Sequence, residues 1–200
     1  MATKGEQTRD AILEGALKLA SRVGLEGLSI GMLAEELQLS KSGLFAHFGS
    51  KEALQLGTIE YAAQQFSELV VRPALTTARG EPRLRALFEA FLRWPERVPQ
   101  PGGCIFIAAA VEFDDRPGPV RDLLRKYWKA RLAFFAGAAR RTIDEGHFRR
   151  DLDPERFAFQ VDGIVLSYHY ASRLLGDAKA REHARAAFEA LVAGARAPRR

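Results

Sequence analysis

Apolar residues recur at three- and four-residue spacing along most of the chain, and no run alternates with the period of a strand. The pattern predicts an all-α protein. A first helix is expected over residues 8–23, with Ile12, Leu13, Ala16, Leu19, Ala20 and Val23 on its buried side and Gly24 ending it. Ser29 caps a second, short helix carrying Met32, Leu33 and Leu37. Gln38-Leu39 breaks the period. Ser40 caps a third helix, in which Leu44 and Phe48 sit four apart and share one face. A fourth starts after Ser50, with Glu52 placed well for the dipole, runs toward Val71 and is limited by Pro73.

The period continues beyond Gly80. Leu84, Leu87, Phe88, Phe91 and Leu92 mark a helix that Pro95 bends or ends. Residues 98–103 read as a loop and 104–113 as a short apolar helix. Pro117-Gly118-Pro119 opens a long helix toward Gly146, and Pro154 is a good first residue for the next. Two closing helices follow, over about 154–175 and 178–196. The first is apolar nearly all round: Phe157, Val161, Ile164, Val165 and Tyr168 on one side, Phe159, Leu166, Tyr170 and Leu174 toward the other. The second is rich in alanine and ends with Gly194. A helix apolar on two faces needs two partners, either within its own domain or from a second copy of the chain. On the second view Phe157, Val161, Leu166, Ala187 and Leu191 are candidate homodimer contacts. Which faces point outward stays open.

The outward face of the third helix has its own chemistry. It shows Lys41, Ser42, Gly43, Phe45, Ala46 and His47: a cation, a hydroxyl, a bare backbone and flat or small groups. That surface suits close approach to the major groove and phosphates of double-stranded DNA. A glycine within a helix costs roughly 0.5–1 kcal/mol relative to alanine. At an outward position, close approach to a partner is one reason to keep it.

Ser40-Lys41-Ser42-Gly43-Leu44-Phe45, His47-Phe48 and Ser50-Lys51-Glu52-Ala53-Leu54 together resemble the helix-turn-helix of the TetR family of bacterial transcriptional regulators. Arg9 to Leu13, Ala16, Leu19 and Gly24 resemble its first helix, and Leu28-Ser29-Ile30 the entry to its second. Phe45 departs from the family's usual tyrosine, so a phosphate contact through that hydroxyl is absent. Gln38 stands where the turn usually has glycine, and must take a left-handed conformation or strain the turn. The resemblance implies a helix-turn-helix head over residues 1–52 and a helical ligand-binding and dimerisation domain over 53–200. It also implies a homodimer that reads a near-palindromic operator and responds to a small-molecule effector, most simply as a repressor. Ser29, Ser40 and Lys51 are then expected on phosphates, and Lys41, Ser42, Gly43, Phe45 and His47 at the groove.

Charge adds little to this. The chain has 200 residues, a net charge of +5 and 47% hydrophobic residues. Residues 1–52 carry six basic and seven acidic residues, a net of −1, so the basic excess lies elsewhere. The DNA expectation rests on local geometry rather than bulk charge.

Trp94, Phe106, Phe113, Trp128 and Phe135 lie between head and closing helices. Rings at helical spacing are commonly plain core; an excess of them also suits the lining of an apolar pocket, where an effector is expected. The single cysteine, Cys104, excludes an intrachain disulfide and fits a reducing compartment. The N-terminus lacks the apolar core of a signal peptide, and no apolar run approaches a membrane span, so a cytoplasmic protein is expected. The four histidines and Cys104 do not fall at metal-ligand spacing, and no phosphate loop or nucleophile elbow is present. No cofactor, metal or catalytic residue is expected. Glu112, Asp114 and Asp115 read as acids stabilised by the following helix start. Two rival functions remain at this level: a helix-turn-helix module of a DNA-acting enzyme, and a small-molecule binding protein whose head no longer binds DNA.

Overall fold

The structure is a computed structural model that describes residues 4–98 and 100–197; Pro99, within the expected loop, lies outside them. The elements in chain order are α1 (Lys4–Val23), α2 (Ile30–Leu37), α3 (Lys41–Phe48), α4 (Lys51–Phe66), a π-helical turn (Ser67–Val71) and α5 (Arg72–Leu75). Then come α6 (Glu81–Leu92), α7 (Trp94–Arg97), α8 (Ile105–Phe113), α9 (Pro119–Asp144), α10 (Pro154–Arg173) and α11 (Ala180–Ala195). The described residues contain no strand, only an isolated bridge between Phe148 and Arg196.

Pro73 does not end the fourth helix as the sequence suggested. The chain widens into the π turn and runs on into α5, with Pro73 in its first turn. A proline ring clashes with the carbonyl four residues back, here Leu69. The π turn lies just ahead of the proline and includes Leu69.

The chain forms two compact units. The first comprises Met1–Phe66 and Pro95–Tyr127, the second Ser67–Trp94 and Trp128–Arg200. In the first, α1 buries Ile12, Leu13, Ala16, Leu17, Leu19 and Ala20. Val23, expected on that face, is 40% exposed because α1 ends there, at Gly24 with φ +80°. Leu25, Leu28, Leu33, Leu44, Leu54 and Ile59 complete the core of the unit.

In the second unit α6, α9, α10 and α11 pack around stacked rings. Phe88 and Phe188 lie face to face with centroids 3.9 Å apart, Phe91 meets Phe135 at 4.7 Å, and Phe148 meets Phe157 at 5.3 Å. A polar strap closes the edge between α6 and α11. Arg196 donates twice to the Glu81 carboxylate, at 2.6 and 3.0 Å, and Arg185 twice to Glu89, at 2.7 and 2.8 Å. Arg85 joins Glu81 to Glu189.

Hydrogen bonds from Arg196 and Arg85 hold the Glu81 carboxyl down at about 2, against burial, which pushes it up. Its folded value lies below the ordinary 4.5. The stabilisation is therefore complete above that value and disappears as pH falls toward 2. With partners partly open to solvent we put it on the order of 2 kcal/mol. Glu81→Gln should lower the thermal midpoint at pH 7 and leave it nearly unchanged at pH 2. An equal loss at both pH values would assign the effect to packing instead.

Candidate nucleic-acid interface

The two short helices α2 and α3 are set by local chemistry. Ser29 is extended, with φ −136° and ψ 156°, and its hydroxyl accepts the Met32 N–H at 3.2 Å. Ser40 does the same for Gly43 at 3.1 Å, and Ser50 for Ala53 at 3.0 Å. Each hydroxyl keeps its own proton to donate. Gln38 takes the left-handed conformation, φ 54° and ψ 38°, as the turn requires. Gly49, φ 70°, closes α3 by donating its N–H to the Phe45 carbonyl at 2.7 Å.

Leu44 and Phe48 pin α3 to the core, 1% and 8% exposed, and the Arg9 guanidinium lies 5.5 Å above the Phe48 ring. The opposite face is open: Ser40, Lys41, Ser42, Gly43, Phe45, Ala46 and His47 are all exposed, Phe45 at 57%. A side chain at Gly43 would meet no backbone, only the Ser40 hydroxyl at 2.9 Å. Glycine thus clears the cap as well as baring the helix, a local reason that spacing did not reveal.

The cations differ in freedom. Lys41 is 70% exposed and only 3.9 Å from an equally open Glu35, a pair worth little in water. Lys51 is engaged: its Nζ lies 3.0 Å from Glu26, with Arg116 at 3.6 Å from the same carboxylate. The hydrogen bond from Lys51 is the main reason the Glu26 carboxyl titrates below its ordinary value. A phosphate at Lys51 would compete with Glu26 for its ammonium.

Sequence spacing missed two residues. Glu112 reaches the turn between α1 and α2, accepting the N–H groups of Glu26 at 2.8 Å and Leu25 at 3.3 Å. It is therefore not one of a set of acids serving the next helix. Arg131, in the second unit, lies over the Trp128 and Phe91 rings at 4.7 and 5.4 Å and 2.5 Å from Asp162. Burial pushes the Asp162 carboxyl above its ordinary value, and Arg131 only partly offsets this. An arginine one turn from both Trp128 and Phe135 on α9 was the available signal.

The expected pocket rings divide between the units. Phe106 and Phe113 are in the first, where Phe106 packs edge-on against Tyr127 at 5.9 Å. Trp94, Trp128 and Phe135 are in the second, with Trp94 and Phe135 fully buried. The Trp128 indole N–H is buried without a hydrogen-bond partner.

Of the expected dimer contacts, Phe157 and Val161 are corrected. They are 1% and 0% exposed, committed to the protomer's own core, and cannot touch a second copy. Leu166 and Leu191 are half-buried and Ala187 exposed. The open apolar surface of α10 runs instead through Phe159, Tyr170 and Leu174, at 72%, 45% and 79%. Beside it Gly163, Ile164, Ser167, Ala171, Ala187 and Leu191 line an open groove between α10 and α11. Among the described residues no cluster of His, Cys, Asp or Glu could hold a metal, and no helix is long and apolar enough to cross a membrane.

Residues 12–56 match the family described as bacterial regulatory proteins, tetR family. Residues 80–188 match the tetracyclin repressor-like, C-terminal domain. The chain is 30% identical over 101 residues to the HTH-type transcriptional repressor NicS of Pseudomonas putida, a match covering 48% of each chain, so it spans about half of that relative's length. It is 31% identical over 149 residues to the HTH-type transcriptional regulator TcmR of Streptomyces glaucescens, covering 70% of this chain and 63% of that one. A TetR transcriptional regulator from Chloroflexus aurantiacus superimposes with a TM-score of 0.83 at 26% identity, covering 95% and 94% of the two chains.

Proposed function

The chain belongs to the TetR family of bacterial transcriptional regulators, and from this we propose that it represses transcription by binding a near-palindromic operator as a homodimer until a small molecule releases it. The open outward face of α3, capped by Ser40 and bared at Gly43, carries the reading. Residues 1–52 are the DNA-reading head and 53–200 the effector and dimerisation part. Lys41, Ser42, Gly43, Phe45 and His47 face the groove, and Ser29, Ser40 and Lys51 the phosphates. The protein works in the cytoplasm and catalyses nothing.

The test is a gel-shift titration against the DNA flanking its own gene, with unrelated duplex as competitor. Specific retention supports the reading; equal affinity for both duplexes rejects it. Within the same assay, Lys51→Ala should weaken binding to both duplexes alike and lower the slope of log affinity against log salt by about one unit, as loss of one phosphate contact requires. Lys41→Ala, at the groove, should cost more affinity for the specific duplex than for the competitor.

We place the effector in the second unit, at the half-buried Trp128, which lies on the same unit as the buried Phe91–Phe135 pair and holds a buried N–H with nothing to bond. An orphan donor costs about 1–3 kcal/mol, which an acceptor on a mainly apolar ligand would recover. A binding effector should quench tryptophan fluorescence and weaken operator retention over the same concentration range. Quenching that survives Trp128→Phe undiminished would place the site elsewhere.

A further inference from the structure

We infer that Glu112 is a positioning residue for DNA binding: from α8 it fixes the orientation of the helix-turn-helix head. This rests on the repressor reading above. Glu112 lies in the stretch that matches the family's C-terminal domain, whereas Leu25 and Glu26 lie in the stretch that matches the DNA-binding domain. The hydrogen bonds from their N–H groups to the Glu112 carboxylate therefore join two family-matched stretches, both within the first compact unit, across 87 and 86 residues of sequence.

The joint is built closely. A Cβ on Gly24 would fall 2.6 Å from the Glu112 carboxylate. A Cβ on Gly102 would fall 1.2 Å from the Ser21 carbonyl oxygen, so only glycine lets the loop before α8 lie against the end of α1. The Gly102 N–H donates to the Ser21 hydroxyl at 3.2 Å. Gln55, on α4, donates to the Leu25 carbonyl at 2.8 Å. The Leu25-Glu26 corner is thus held by α4 from the head's own side and by Glu112 from α8. Ion pairs of Glu26 with Lys51 and Arg116 surround it and are open to solvent.

The carboxylate is the directional part of this joint. It accepts from two successive backbone N–H groups, which fixes the corner in rotation as well as in distance. In a dimer, the angle of each head decides which half-site spacing both can read at once. Adding one base pair between half-sites rotates one of them by about 35° and moves it about 3.4 Å. A head locked by Glu112 cannot follow; a released head can.

The experiment uses full-length protein and duplexes enriched from a random pool by the wild type, then resynthesised with one base pair added or removed between half-sites. The wild type should lose at least about tenfold in affinity for either change, as the second head's avidity is lost. Glu112→Ala should bind the original spacing more weakly and lose less than about threefold on changing it. Glu112→Gln keeps one acceptor oxygen and should fall between, with a thermal midpoint near wild type. That variant separates positioning from folding, because destabilisation lowers binding to all spacings alike. Spacing profiles of both variants that superimpose on the wild type would overturn the inference while leaving the repressor reading intact. A wild type that enriches no duplex would remove that reading, and this inference with it.

Discussion

Gly43→Leu should abolish sequence-specific DNA binding, lowering operator affinity at least about a hundredfold, while the thermal midpoint barely moves. Two local effects on folding oppose each other. The new Cβ would press on the Ser40 hydroxyl at 2.9 Å and displace the cap, at a cost of about 1 kcal/mol. Replacing glycine inside a helix returns about 0.8 kcal/mol of helix propensity. No other neighbour lies within contact of that position, so the core is untouched. In the groove nothing compensates: the leucine occupies the space through which the α3 backbone must approach the base edges. Parallel thermal melts and gel-shift titrations check both halves. A variant that binds operator normally would show that α3 does not enter the groove as proposed.

Charge on the open face of α10 and α11 should dissociate the proposed homodimer. The apolar strip through Phe159, Tyr170 and Leu174, with the groove lined by Ile164, Ala187 and Leu191, has no cover in the protomer. An obligate dimer buries upward of roughly 2,000 Å² in total. Across a two-fold axis every substitution enters twice. Burying an unpaired carboxylate costs several kcal/mol each time, so Leu166→Glu or Ala187→Glu should weaken association by about 10,000-fold or more. Both variants should sediment as folded monomers and lose operator binding. Val161→Glu should behave differently, since that side chain is fully buried in the protomer: it should unfold the second unit. If Leu166→Glu and Ala187→Glu remain dimeric at micromolar concentration, the interface lies on another face.

Both predictions draw on features that differ in how plainly the sequence declared them. The head was legible almost residue by residue. Ser29, Ser40 and Gln38 act through groups within four positions of themselves, and Leu44 and Phe48 share a face by helical geometry alone. Such relations are written in spacing. The closing helices were legible as helices but not as surfaces. With apolar residues all round α10, spacing gave two faces and no way to choose between them. Packing against α6, α9 and α11 chose Phe157 and Val161 for the core and left Phe159 and Leu174 outside.

The sequence by itself determined the helices, their caps, the outward face of α3 and the family, because each follows from contacts a few residues long or from a short motif. Tertiary structure alone decided the roles of Glu112, Arg131 and Lys51. Glu112 meets its partners 86 and 87 residues away, and Lys51 meets Glu26 at a distance of 25. Arg131 meets Asp162 on another helix. No periodicity carries information over such separations. A carboxylate near a helix end reads as a partner for the local dipole until the fold brings a stronger donor, the backbone of a distant turn, within 3 Å of it.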